Sequence, residues 1–129
     1  MTEAPSVKPV VWIGSSRSDL GSFPEDVKDA MGYALYIAQR GGKHDAAKPL
    51  HGFGGAGILE LIEDHAGETY RAVYTVRLAG RIYVLHAFQK KSKTGVKTPR
   101  PEIELVRSRL KRAEEEHAKW QRTQKELQG

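Results

Sequence analysis

Apolar positions follow two different periods along this chain. Val27, Ala30, Met31, Ala34, Leu35 and Ala38 recur at helical spacing. Between Ile58 and Phe88 the apolar residues instead come in short runs rich in Ile, Val, Tyr and Leu, broken by DHAGE (Asp64–Glu68) and Ala79-Gly80. These runs predict three strands over Ile58–Glu63, Thr69–Leu78 and Arg81–Phe88. Their short connections make them antiparallel neighbours. Upstream, Val7–Ile13 (VKPVVWI) reads as a strand, and its Pro9 suits an edge or a strand start. Gly14–Gly21 reads as a turn.

Ser22, with Glu25 three residues on, has capping-box spacing, and Pro24 lies in the first turn, so a helix is expected to open there. Gly41-Gly42 should close it. A short helical turn is expected within Lys43–Gly57, whose glycines then impose an irregular loop that packs Phe53. Ile103, Val106, Leu110 and Ala113 form the stripe of a last helix beginning near Pro99 or Pro101. Glu102 and Glu104 fall in its first turn, where the helix dipole favours them. Beyond Ala113 only Trp120 interrupts a polar tail. The expected order is β, α, helical turn, β, β, β, α. That is an α/β (α+β) domain with about four antiparallel strands, helices on one face and a C-terminal helix.

With 129 residues the chain makes one domain, 1–129, with a loose start over 1–6 and a polar helical tail over 114–129. It has no cysteine, which excludes disulfides and thiolate zinc sites. No long apolar run or secretory leader is present, so a cytoplasmic protein with no membrane partner is expected. The formal charge of +5 favours an anionic partner.

That charge is unevenly placed. Arg71 and Arg77 lie in the second of the three strands, and Lys90, Lys91, Lys93 and Lys97 follow the third with no acidic residue among them. Strand alternation puts Tyr70, Ala72, Tyr74 and Val76 on one side. Arg71, Val73, Thr75 and Arg77 fall on the other. With helices over the first side, the second should be open, wet and positive. Arg71 can pair there with Glu60 on the neighbouring strand, which would hold it ready for a phosphate. His86 and Phe88 share a strand face just before the lysines. An aromatic beside cations is what stacks unpaired RNA bases. Of the five histidines only His86 is placed for proton transfer, and none has metal-ligand spacing, so no metal or other cofactor is expected. The HGFGGAG loop lacks the Lys-Ser/Thr of a phosphate loop and precedes a strand. A second basic run, Arg107, Arg109, Lys111 and Arg112, lies on the last helix.

The strings KPVVWIGSS, ALYIAQRGGKHDAAKPLHGFGGAGILELIED, YRAVYTV, IYVLHAFQKKSKTGVKTP and EIELVRSRLKRA resemble the RelE/HigB-like toxins of type II toxin–antitoxin modules, in their phage-derived killer-protein branch. The resemblance runs from Val7 to Ala113. It implies a small RelE-like fold and endoribonuclease cleavage of mRNA, often on the ribosome, by attack of the RNA's own 2′-hydroxyl without a metal. It implies a helix-turn-helix antitoxin of the HigA type as partner. It places Arg71, Lys90 and Lys91 around the scissile phosphate, with Phe88 just before the lysines; by their charge and place in the basic cluster, Arg77, Lys93 and Lys97 are expected to bind the RNA with Phe88. Crowding by other cations would lower the proton affinity of Lys90 or Lys91 enough for a base, and His86 is the alternative acid or base. The terminus QRTQKELQG lacks the Tyr or His that some branches use, which leaves the acid and base open. A non-catalytic binder of the same fold and a ParE-like gyrase inhibitor are the rival readings.

Overall fold

The computed structural model describes residues 7–54, 57–90 and 98–128. It contains β1 (Val10–Trp12), α1 (Ser16–Gly21), α2 (Glu25–Gln39), β2 (Ala47–Pro49), β3 (Ile58–His65), β4 (Glu68–Thr75), β5 (Ile82–Lys90) and α3 (Arg100–Gln128). The sheet order is β1-β5-β4-β3-β2. The three long strands form the expected antiparallel meander, joined at Ala66-Gly67, where both residues take positive φ as a two-residue hairpin turn requires. β1 is an edge strand, as Pro9 suggested, but it runs parallel to β5, so the sheet is mixed. A fifth strand comes from Ala47–Pro49. The expected helical turn is instead a short strand capping the β3 edge.

Two local signals misled. Gly14–Gly21 is not only a turn: Ser16–Gly21 is helical because Ser16 Oγ donates to Val84 O across 3.1 Å and Leu20 is buried. Ser22 does not open α2. It ends α1, donating its hydroxyl to Asp19 O, and Pro24 is the N-cap of α2. A serine between two helices can serve either one, and here the preceding turn claims it.

The helices cover both faces, not one. Val27, Met31, Ala34, Leu35 and Ala38 of α2 pack on Leu59, Leu61, Ala72, Tyr74, Ile82 and Val84. Val106 and Ala113 of α3 pack on Ile13, Ile58, Val73, Tyr83 and Leu85. The face carrying Arg71 is therefore a second core, and the expectation of an open arginine surface is corrected. β4 also ends at Thr75, so Arg77 lies past the strand on an exposed turn. A register shift in the β4–β5 ladder, with Val73 opposite His86 but Tyr74 opposite Val84, leaves Leu85 without a partner across the strand. Ile82 and Val84 face α2. After this bulge His86 and Phe88 fall opposite Val73 and Arg71, on the α3 side.

α3 stays helical to Gln128, although its second half is almost wholly polar. Trp120 explains how that half is held. The Arg81 guanidinium lies 4.2 Å from its ring centroid, and its ring edge packs against Gly80 so closely that a Cβ there would sit 3.0 Å away. One turn earlier, buried His117 is hydrogen-bonded through Nδ1 to the Tyr83 hydroxyl across 3.0 Å. Burial, and then the Arg81 charge, hold His117 below the usual histidine pKa. The unfolded chain therefore binds the proton more readily than the folded one. The stability contributed by neutral His117 is complete above its unfolded pKa of about 6.5 and is lost as pH falls below that value. Thermal midpoints measured between pH 7.5 and 5 should fall through this window, and His117→Leu should remove that part of the fall.

Candidate functional site

The α3 side of β4 and β5 carries a row of polar and aromatic groups. Arg71 is opposite Phe88, and Thr69 is opposite Lys90. The Phe88 ring stacks on His86 with centroids 4.9 Å apart and planes 21° from parallel. Arg71, Phe88, His86 and Lys90 are thus brought onto one face, as the alternation of these strands requires once the bulge is included.

Arg71 is only 3% exposed. Its Nη1 donates to Glu60 Oε1 at 2.9 Å and to Thr98 Oγ1 at 3.2 Å, while Thr98 Oγ1 donates to Glu60 Oε2 at 2.7 Å. The Glu60 pairing is the expected one. Its burial is not, and a guanidinium committed to this network is placed to project charge, not to grip a phosphate with both arms. Lys90 is buried beside it. Burial, reinforced by Arg71, pulls the Lys90 ammonium below the usual lysine range, while Glu60 acts in the opposite sense. Lys91, Lys93 and Lys97 lie outside the described residues. Arg77 is exposed and packs its stem against Gly57, away from this row on the far side of the Thr75 end of β4.

His86 is the centre of a second network. Its Nε2 meets Glu102 Oε2 from the first turn of α3, and its Nδ1 lies 3.3 Å from Arg109 Nη1. Arg109 also donates to Leu85 O at 3.0 Å and to Ser15 Oγ at 3.0 Å, and Ser15 donates to Asp19 at 2.7 Å. Arg109 reaches this position past Gly14, where a Cβ would lie 2.8 Å from its Nε. Gly14 has φ +58, so both its backbone and its missing side chain are required. An arginine can only donate, so Nδ1 accepts and the ring proton sits on Nε2, directed at Glu102.

Sequence reasoning located Glu102 by its helix dipole and Arg109 as one of a basic run, but gave neither a partner. The run itself divides. Arg107 covers Phe53, with 4.8 Å between its guanidinium and the ring centroid, and Arg112 pairs with Glu116. Only Arg109 turns into the site.

Beside His86 runs a groove of about 560 Å³, lined by Phe23, Tyr70, Phe88 and Gln89 and by the carboxylates of Asp19 and Glu102. It follows the part of β5 that β1, paired only to Ile82–Val84, leaves uncovered. Among the described residues no group of three or more His, Asp or Glu side chains could hold a metal ion. No helix among them is long and apolar enough to cross a membrane.

The family model "Phage derived protein Gp49-like (DUF891)" matches residues 18–111, which include Glu60, Arg71, His86, Thr98, Glu102 and Arg109 but not Gly14 or Ser15. The chain belongs to this family. It is a toxin family, and the phage-derived branch is the one the sequence strings resemble. No curated protein matches the chain. Among solved structures, the RelBE2 toxin–antitoxin complex of Mycobacterium tuberculosis is similar at 17% identity, covering 70% of this chain and 100% of that one, with a TM-score of 0.44.

For this Gp49-like family member the Arg71–Glu60 pair sets a stability prediction. Removing one partner of a buried pair leaves a buried charge uncompensated. Arg71→Met should therefore cost about 3–5 kcal/mol in urea unfolding. Arg71→Met with Glu60→Leu should recover most of that loss.

Proposed function

We propose that this chain is the toxin of a type II toxin–antitoxin module and an endoribonuclease that cleaves mRNA on the ribosome by attack of a 2′-hydroxyl on the adjacent phosphodiester. The observation that carries the reading is the row of Arg71, Phe88, His86 and Lys90 on one face of β4 and β5, beside an open groove. Phe88 is half-buried and offers a ring edge and face to an unstacked base. Arg71 and Lys90 behind it outweigh the single Glu60 carboxylate, so the row favours charge building on phosphoryl oxygens, the usual largest contribution in such reactions. The nucleophile belongs to the substrate, so the protein has only to bind, polarise and move a proton. The charge of Arg77, Lys91, Lys93 and Lys97 suits a partner with a phosphate backbone. A helix-turn-helix antitoxin of the HigA type, with an acidic segment complementary to this face, fits as the partner.

The rival readings predict different outcomes of one experiment. Purified protein is incubated with translating ribosomes, and mRNA 5′ ends are mapped. Cleavage should give 5′-hydroxyl and 2′,3′-cyclic phosphate ends, and Lys90→Ala should slow it about 10²–10³-fold. Intact message at doses that arrest growth would sink the nuclease reading. Inhibited supercoiling in a gyrase assay would then favour the gyrase reading, and its absence a non-catalytic binder.

A further inference from the structure

We infer that Glu102 is the general base of this site and that His86 is its positioning residue, with Arg109 fixing the tautomer of His86. The inference rests on the ribonuclease reading above and names the group that moves the proton.

His86 has both ring nitrogens committed. Arg109 donates to Nδ1, the Nε2 proton points at Glu102, and the side chain is only 7% exposed. To take a proton from a ribose hydroxyl, the imidazole would first have to displace the Arg109 guanidinium. That guanidinium is itself tied to the Leu85 carbonyl and to Ser15, through a backbone turn at Gly14 that no other residue fits well. The ring is therefore locked in one orientation, with its stacked neighbour Phe88 closing one side.

Glu102 differs in each respect. Its side chain is 31% exposed and lines the groove together with Phe88 and Gln89. One carboxylate oxygen is engaged by His86. A carboxylate has about four acceptor sites, so it can take a hydroxyl proton from the groove while keeping the imidazole bond. The bond from a buried, doubly held donor fixes the carboxylate's direction before substrate arrives, which is what a general base needs.

The step balances without a co-reactant. Glu102 takes the 2′-hydroxyl proton as the O2′–P bond forms. The P–O5′ bond breaks, and its electron pair leaves on O5′. A water in the groove protonates O5′, and the hydroxide so formed takes the proton back from Glu102. The products are a 2′,3′-cyclic phosphate and a 5′-hydroxyl, and nothing is oxidised or hydrolysed. The Arg109, Arg71 and Lys90 charges offset the approach of an anionic phosphate to the carboxylate.

The test uses the full chain and a fluorophore-labelled mRNA on translating ribosomes. Wild-type cleavage tests the ribonuclease reading by itself; uncut RNA overturns both readings. Given cleavage, Glu102→Gln should lower kcat about 10²–10⁴-fold with KM and thermal midpoint little changed. Glu102→Ala should regain part of the lost rate when formate is added, which a purely structural role would not allow. His86→Gln, which keeps an N–H donor for Glu102, should retain far more activity than His86→Ala. Wild-type kcat in Glu102→Gln, no response of Glu102→Ala to formate, or equal loss in the two His86 variants would each overturn the assignment.

Discussion

One register shift in the β4–β5 ladder decides what this protein can do. β5 is buried along nearly its whole length and is the strand that touches β1, β4, α1 and α3. An uninterrupted strand starting with Ile82 and Val84 on α2 would put His86 and Phe88 on α2 as well, inside an apolar core with no charge to meet them. The unpaired Leu85 resets the alternation. His86, Phe88 and Lys90, alternate residues of β5, then turn to the α3 side together with Arg71 of β4. The bulged Leu85 carbonyl, which has lost its ladder position, accepts from Arg109 instead. The distortion thus creates both the row of side chains and the acceptor that anchors the arginine behind it.

α3 shows how a mostly polar helix is fixed to a sheet at few points. Burial of apolar groups is confined to Val106, Ala113 and their half-buried neighbours. At one end Glu102 and Arg109 hold His86. At the other, Trp120 lies under Arg81 while His117 holds Tyr83. Both ends use a histidine whose ring joins α3 to β5, His86 from the strand and His117 from the helix. They differ in surroundings. His117 Nε2 has no partner among the described residues, and its ring meets Tyr83 and Trp120 and feels the Arg81 charge. His86 has a carboxylate on one nitrogen and a guanidinium on the other. The same residue type is a neutral packing element in one place and a directed donor in the other.

The fold was legible in outline because the two periods are strong. The meander, the main helix, its stop at Gly41-Gly42 and the last helix lie within a few residues of where the pattern puts them. What failed was local chemistry with two solutions. Ser22 could cap either of two helices, AKP could turn or pair, and GSSRSDLG carries turn residues that a single buried hydroxyl bond converts to helix. The helix on the second sheet face was not legible, since β3, β4 and β5 read as apolar on both sides and Arg71 appeared to mark a wet one. The Glu60–Arg71 pair was legible from adjacency, but not its burial, because Thr98 and α3 close over it from far along the chain. Glu102 could be placed only by its helix turn. Nothing in IYVLHAFQK announces the bulge, since every residue from Ile82 to Ala87 is buried and gives no parity.

The two networks also bear on the lysine-rich segment 91–97. The residue before it, Lys90, lies in the field of Arg71 and Glu60, and the residue after it, Thr98, is hydrogen-bonded to both. Both residues that flank the segment are therefore tied to one buried ion pair. The same anchor sits directly before Pro99 and the first turn of α3, where Glu102 stands. The ion pair thus connects Lys90 to the segment that opens α3 and carries Glu102. That gives Arg71 a structural reason to be buried: its bonds tie β3 and β4 to the segment that opens α3.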